Sequence, residues 1–497
     1  MIENTLYYGD NLKVIKEHIQ DNTIDLIYLD PPFSSKADYN ILFKEPTGKQ
    51  SEAQIIAFED TWHWVAETEK AFQEIIEVAS ANIVEMMRSF RQFLGVNDVM
   101  AYLIMMCIRL LELKRVLKDT GSIYLHCDPT ASHYLKILMD TIFGKENFRN
   151  EIIWCYRGAG YPKNDFGRRH DIILRYSKTG NYIFNLDDVR EEYAKATKER
   201  FKHYIGNVRD GKDFGVQSLH PLGKQPDDWW QIQPIAPSAK ERLGYPTQKP
   251  EILLDKIIKA SSNKGNVILD PFCGCGTTIA VAQKLNRKWI GIDITHLAVN
   301  LMKFRLQNMF GLIPKKHYKV IGEPEDIAGA IELASQNRYQ FQWWALSLIN
   351  AKPFGDKKKG ADKGIDGYMY FREKTHGRKT DIKSIIVQVK SGKVGVKDIR
   401  DLGHVIDREK SSMGIFITLE KPTKPMIKEA VTKGFYRSEL YQRDFQRIQI
   451  ITIDELLNDK MPKVPNINTP YKKAKRYEAR KPQLDVLKDY KEDYYLQ

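Results

Sequence analysis

Asn266-Val267-Ile268-Leu269-Asp270-Pro271-Phe272-Cys273-Gly274-Cys275-Gly276-Thr277-Thr278 is the stretch whose reading decides the fold. A short apolar run of strand length ends there in a glycine loop. Ile279 to Leu285 follows with helical character, and Trp289-Ile290-Gly291-Ile292-Asp293 then reads as another buried strand. Together these make a βαβ unit with glycines at its first turn and an acid at the tip of its second strand. That acid is placed to accept from ribose hydroxyls. The loop lacks the Gly-Lys-Ser/Thr ending of a P-loop and the third glycine of the dinucleotide fingerprint. On the loop alone, a nicotinamide cofactor fits nearly as well as another nucleotide.

Working outward, Asp25-Leu26-Ile27-Tyr28-Leu29 is a second apolar run, and Asp30-Pro31-Pro32-Phe33 follows it directly. Such a run reads as a strand buried in a parallel sheet. A carboxylate at its carboxyl end puts chemistry where open α/β sheets hold their ligands. Each proline fixes φ and removes an N–H, so the turn is stiff and displays carbonyls without competing donors. Asp30 and the Pro31 carbonyl can hold two hydrogens of one amino group, with Phe33 as a flat apolar wall. That suits an exocyclic base amine better than a hydroxyl or a phosphate. The plain alternative is a rigid turn after a strand.

The two stretches together resemble the amino-methyltransferases of DNA, in the permuted order where the catalytic motif precedes the cofactor motif. Further matches are Gly9-Asp10-Asn11, Gly121-Ser122-Ile123-Tyr124-Leu125-His126-Cys127-Asp128, His170-Asp171-Ile172-Ile173-Leu174-Arg175-Tyr176-Ser177 and Tyr245-Pro246-Thr247-Gln248-Lys249-Pro250. The likeness covers residues 1 to 310 or so and is strongest to the β-class adenine enzymes, including modification subunits of type III systems. It implies a Rossmann-like α/β sheet that binds S-adenosyl-L-methionine across Gly274 and Gly276, with Asp293 on the ribose and Asp10 near the adenine end. Asp270, Phe272, Thr277 and Lys249 complete the implied cofactor set. Asp30, Pro31, Pro32 and Phe33 are the implied catalytic group, acting on adenine N6 of double-stranded DNA, because the aspartate form of the motif accompanies adenine in that family. Cys275 stands where the family usually has serine. His126, at a strand end beside Asp128, reads as structural before catalytic.

Composition agrees with this. The chain of 497 residues has room for two or more domains. A formal charge of +13 and a pI near 9.1 favour a polyanionic partner, nucleic acid before membrane. The five cysteines form no CxxC pair or zinc spacing, which fits a reduced cytoplasm. The N-terminus shows no basic-then-apolar signal. Val99 to Leu111 is too short to span a bilayer and carries Arg109, so it reads as a buried helix with Asn97 or Asp98 as cap.

Along the chain, Leu6-Tyr7-Tyr8 reads as a strand, Leu12 to Ile19 as a helix, and residues 50–95 as helical, with Ile75, Ile76, Ile83, Val84, Met87 and Phe90 near helical spacing. Ile152-Ile153-Trp154 and Asp171 to Tyr176 are strand-like. Between residues 157 and 240 lies a polar insertion rich in Arg, Lys and aromatic residues, among them Lys198, Arg200, Lys202, Trp229 and Trp230. Its position matches the family's target-recognition region, where basic groups meet bases or phosphates and aromatics fill a vacated stack. The expected first domain is 1–318.

A second chemistry follows a linker near residues 314–324. Ala328 to Ile349 reads as helical, and Gly364-Ile365-Asp366-Gly367 and Ser384-Ile385-Ile386-Val387-Gln388-Val389-Lys390 as strands. Gln388 and Lys390 face the same side of a strand. Asp366 and Gln388 can hold Mg²⁺ while Lys390 positions the attacking water and stabilises phosphate charge. The segment resembles the Mrr-like branch of the PD-(D/E)xK nucleases over residues 325–455, with Gln388 where an acid usually sits. A second α/β, restriction-endonuclease-like domain is therefore expected at 323–460, then a basic tail at 461–497. Glu332 reads as a solvated helix residue. The two resemblances together imply a restriction–modification fusion, an adenine-N6 methyltransferase with a Mg²⁺-dependent endonuclease whose cutting the methyl group blocks; an adenine-N6 or cytosine-N4 methyltransferase whose second domain only binds DNA, and a modification-dependent nuclease, remain as alternatives, and so do a homodimer and a separate partner subunit.

Overall fold

The computed structural model describes residues 3–32, 38–44, 50–59, 64–158, 160, 162–202, 206–209, 212–216, 218–245, 247–354, 364–376, 379–465 and 467–468. Phe33, Tyr161, Pro246 and the basic tail beyond residue 468 lie outside the described residues.

Nine strands form the main sheet: β1 (Thr5–Tyr8), β2 (Ile24–Leu29), β3 (Leu117–Cys127), β4 (Phe148–Cys155), β5 (His170–Ser177), β6 (Trp229–Gln231), β7 (Val267–Asp270), β8 (Lys288–Asp293) and β9 (Lys319–Ile321). They lie in the order β6-β4-β5-β3-β2-β7-β8-β1-β9. Every neighbouring pair is parallel except the two made by β5, which runs against β3 and β4.

All six residues of β2 are buried, because the sheet is covered on both faces. Ile27 and Leu29 pack into one apolar layer with α1 (Asn11–His18) and α2 (Asp98–Val116). Leu26 and Tyr28 pack into the other with α3 (Glu251–Ser261), α4 (Thr277–Lys284) and α5 (His296–Phe310). The alternation is the period of two that any strand imposes. Asn97 caps α2, its side chain accepting from Met100 N.

Connectivity positions the site. From β2 the next main-sheet strand, β3, lies to one side, and from β7 the chain crosses to β8 on the other. β2 and β7 are neighbours, so their carboxyl ends flank the point where the winding reverses. Open α/β sheets leave a crevice there.

Three expectations for the first domain change. Residues Gln50–Glu59 are a strand, paired antiparallel with Asp38–Lys44, and the helices begin only at Ala66. A short apolar run such as Ile55-Ile56 reads either way by periodicity, and here the antiparallel partner decides it. The expected linker carries β9, which pairs with β1, so the main sheet reaches Ile321. Trp230 is buried at the sheet edge with the Lys256 ammonium 4.5 Å from its ring, whereas Trp229 is exposed. Only Trp229 is therefore available to meet a base.

The second sheet orders β10 (Lys352–Pro353), β11 (Gly367–His376), β12 (Lys379–Lys390), β13 (Met413–Thr418) and β14 (Ile448–Thr452) in sequence. β11 and β12 are antiparallel, while β12, β13 and β14 run parallel. The expected single helix is two, α6 (Ile327–Gln336) and α7 (Arg338–Leu348), because Asn337 between them accepts from Tyr339 N and Gln340 N and so caps the second. α6 and α7 cover the Ile385/Val387/Val389 face. α8 (Val396–Arg408) covers the Ile386 face. α7 also reaches the first domain: Trp343 is buried among Tyr245, Cys275, Ala280 and Leu297, and Gln340 Oε1 accepts from His296 N at 3.3 Å.

Candidate active site

One cleft at the ends of β2 and β7 is lined by Asp30, Pro31 and Pro32 and by Asp270, Phe272, Gly274, Thr277 and Asp293. Both stretches singled out in the sequence thus meet at one place. The loop needs its glycines. Gly274 and Gly276 have φ of +48° and +72°, in the left-handed region. A Cβ at Gly274 would stand 3.1 Å from the Tyr245 ring, and one at Gly276 2.6 Å from Met302 Cγ. Cys275 is buried and lines the cleft without closing it.

Asp293 is engaged by the protein itself. Its Oδ2 accepts from Gly274 N at 2.9 Å, and its Oδ1 from the Thr295 amide and hydroxyl, each at 2.9 Å. It braces the glycine loop against β8. Burial pushes its carboxyl up to about 6, against those hydrogen bonds. Burial pushes Asp270 up to about 7, outweighing bonds from the Thr278 hydroxyl and Phe272 N, with the charges of Asp30 and Asp293 adding to the rise. Two buried acids beside one cleft make it welcoming to a cation.

Asp10 follows β1 after Gly9 and caps α1 through Lys13 N. Its other oxygen accepts from Arg109 Nη2 at 2.7 Å, while Arg109 Nε donates to Asn11 Oδ1 at 2.6 Å. Asn11 Nδ2 in turn donates to the Pro271 carbonyl at 2.8 Å. The guanidinium of a buried helix therefore pins β1 to the loop after β7. The spacing of Arg109 on an apolar helix gave no sign of this.

On the other wall, Lys249 Nζ donates to Asp30 Oδ2. Lys249 lines the cleft, and its contact there is Asp30. His126 is wholly buried, with Tyr28 Oη 2.9 Å from Nδ1 and Asp171 Oδ2 3.2 Å from Nε2. Asp30 Oδ1 stands 3.9 Å from Nδ1. The buried, hydrogen-bonded ring of His126 thus lies beside Asp30. Register explains it: Leu29 pairs with Leu125, so the residues after each lie side by side. That pairing is long-range and invisible in either motif alone.

In the second domain, Asp366 Oδ1 accepts from Gln342 Nε2 at 2.8 Å and Oδ2 from Val389 N at 2.6 Å. Gln388 Nε2 donates to the Gly364 carbonyl at 2.8 Å, and its Oε1 is buried without a partner. Glu332 is exposed and accepts from Gln336. Among the described residues no group of three or more His, Cys, Asp or Glu is placed to hold a metal. Mg²⁺ favours carboxylates in octahedral array. A single carboxylate with both oxygens already accepting, beside a neutral amide, does not fit it.

A mostly parallel sheet with one reversed strand, a glycine loop at a winding reversal and an acid after the neighbouring strand define a nucleotide-cofactor enzyme of the Rossmann-like class. The chain belongs to the N6/N4 DNA methylase family, which matches residues 24–304. It is similar to the type II methyltransferase M.HpaI of Haemophilus parainfluenzae, at 30% identity over 48% of this chain and 71% of that protein. It is similar also to M.BglII of Bacillus subtilis, at 28% identity over 59% of this chain and 65% of that protein. The DNA adenine methyltransferase YhdJ of Escherichia coli K12 is 35% identical over 37% of this chain and 59% of that protein. The chain thus spans between about half and 71% of the curated relatives it matches. Residues 340–458 match a second family, described as NACHT-associated inactive restriction endonuclease 1. No helix among the described residues is long and apolar enough to cross a membrane.

Proposed function

We propose that this chain transfers a methyl group from S-adenosyl-L-methionine to adenine N6 at specific sites in double-stranded DNA. The observation that carries this reading is the meeting of Asp30-Pro31-Pro32 and the Gly274 loop in one cleft. The cleft suits the cofactor: Gly274 and Gly276 let the loop turn tightly against Tyr245 and Met302, and Asp270 and Asp293 offer a cationic ligand two buried carboxyls. When bound, the cofactor supplies an electrophilic methyl group. Asp270, Phe272, Gly274, Gly276, Thr277, Asp293 and Asp10 are the residues that would hold it. Asp30 and the Pro31 carbonyl hold the two hydrogens of the base amine, so that its lone pair is aimed rather than created by proton abstraction. Lys249 holds the Asp30 carboxylate in place. The base must leave the duplex stack to arrive, at a cost of roughly a few kcal/mol. Adenine is favoured over cytosine by the aspartate at position 30, and a relative sharing 35% identity is named an adenine methyltransferase. Mass spectrometry of nucleosides digested from product DNA tests this; N4-methylcytosine as the main product refutes it.

For residues 323–460 the favoured reading is a domain that holds DNA without cutting it. The single, fully engaged carboxylate of Asp366 and the description of the matching family support it. The second reading is a Mg²⁺-dependent endonuclease using Asp366, Gln388 and Lys390, and the buried unpartnered Gln388 oxygen favours it. Incubating the full chain with unmethylated and methylated plasmid, with and without Mg²⁺, separates the two.

A further inference from the structure

Arg305, on α5, is 1% exposed, and its guanidinium stands behind the cleft wall. Nη1 donates to the Cys275 carbonyl at 3.3 Å and to Thr277 Oγ1 at 3.1 Å. Nη2 donates to Glu251 Oε1 at 2.8 Å. The two arms thus reach two different walls of the site. Cys275 and Thr277 belong to the glycine loop and the first turn of α4, and both line the cleft. Glu251 opens α3, two residues after Lys249, whose ammonium holds Asp30. Pro250 between them has φ fixed at −63°, so the step from Glu251 to Lys249 is stiff. Glu241 stiffens the same turn: its Oε2 accepts from Glu251 N at 3.3 Å and its carbonyl from Gln248 Nε2 at 2.7 Å. The helix that carries Arg305 is fixed as well, because Thr295 caps α5 and donates to Asp293.

Stability alone does not account for this pair. A buried ion pair exchanged for apolar side chains of similar size is often as stable or more so. Nε of Arg305 is buried besides, with no hydrogen bond among the described residues, a cost that an apolar side chain avoids. What the guanidinium supplies is a planar fork that spans two partners at a fixed separation. We propose that Arg305 is a positioning residue for methyl transfer: by holding Thr277 and Glu251 at once, it sets the gap between the cofactor loop and the Lys249–Asp30 pair. This rests on the amine-methylation reading above. Transfer needs the amine nitrogen close to the methyl carbon and in line with it, and a misplacement of about 1 Å costs roughly 100-fold in rate. The cofactor loop follows β7 and Asp30 follows β2, so the two reactants are held by different elements. A strut between those elements fixes their distance. Arg305 touches neither reactant; it acts through Thr277 on one side and through Glu251 and Lys249 on the other.

The test uses the full chain, S-adenosylmethionine and a DNA duplex carrying its site. Arg305→Met alone would strand the Glu251 charge, so the main variant combines Arg305→Met with Glu251→Gln and removes both charges. Its melting temperature should stay near that of wild type, and its cofactor affinity by calorimetry and its KM for DNA should change little. The single-turnover rate of methyl transfer should nevertheless fall roughly 10- to 100-fold, the scale of a misplaced reactant. Arg305→Lys keeps the charge but replaces the fork with a single point donor, so it should recover only part of the rate. A further readout needs no turnover. In cofactor-free protein labelled with ¹⁵N-lysine, the Lys249 ammonium signal, identified by its loss in Lys249→Gln, should shift in the double variant. Wild-type rate in the folded double variant would overturn the proposal. So would a loss confined to cofactor affinity, which marks a pocket-shaping role, or an unmoved Lys249 signal. Full rescue by Arg305→Lys would show that charge alone suffices, and would overturn the strut. If the double variant does not fold, Arg305→Lys decides, and a wild-type rate with an unmoved Lys249 signal there overturns the proposal. Failure of the wild type to methylate a base amine would instead strike the reading on which this one rests.

Discussion

Asp30 has one oxygen on Lys249 and the other facing His126, on the opposite wall of the cleft from the glycine loop. Asp30→Ala should therefore abolish methyl transfer and leave cofactor binding within a few-fold of wild type, measured by paired calorimetry and methylation assays. A variant that methylates near the wild-type rate removes Asp30 from the mechanism. Asp270 supplies a pH prediction. Its folded pKa is raised from 3.8 to about 7, so the stability linked to its proton is fully present below pH 3.8 and is lost as pH rises through about 7. Asp270→Asn should thus raise the melting temperature of the cofactor-free protein at pH 8 and change it little at pH 4. A cationic ligand restores part of that loss, so wild type should bind S-adenosylmethionine more tightly at pH 8 than at pH 5.5, with proton release visible by calorimetry in buffers of different ionisation enthalpy. Equal affinity at both pH values speaks against a cation meeting these acids.

Helix α7 is an element that touches both domains. Gln342 holds Asp366, while Trp343, the next residue, is buried in the apolar cluster that includes Cys275 and Tyr245. Successive residues on a helix point about 100° apart, so one helix serves both sides. Trp343→Ala should destabilise the chain by about 3–5 kcal/mol, the usual range for a buried tryptophan. The cofactor should then raise the melting temperature of the first domain without carrying the second along, seen as two calorimetric transitions where wild type shows one. A single transition in the variant shows that the two domains remain joined without this contact.

For the whole molecule, the basic charge favours a polyanionic partner, and the role proposed for the second domain adds a second place at which DNA is held. Lys390→Ala should weaken retention of DNA and reduce the slope of log affinity against log salt by about one, without changing the methylated product. Gel-shift titrations at several salt concentrations check this. Asp30→Ala should leave DNA retention intact. If Mg²⁺ does reveal cleavage, comparison of pre-methylated with unmethylated DNA shows whether the methyl group protects. Cutting confined to unmethylated DNA restores the restriction–modification reading.

The apolar runs ending at Asp30 and Asp270 and the glycine loop after the second were enough, by themselves, to determine a Rossmann-like sheet and the two walls of its site. Strand burial and positive-φ turns leave local marks in composition, and the observed β2, β7 and α4 lie where those marks put them. Contacts between distant segments leave none. Only the pairing of β2 with β3 brings His126 beside Asp30, and only the antiparallel β5 supplies Asp171 to that ring. Lys249 reaches Asp30 across 219 residues of chain. Asn337 divides a helix that periodicity reads as continuous, and that division aims Gln342 at one domain and Trp343 at the other. Strands and turns are written in neighbouring residues, whereas the partners of a buried charge are chosen by sheet order and register, which emerge only when the whole chain packs.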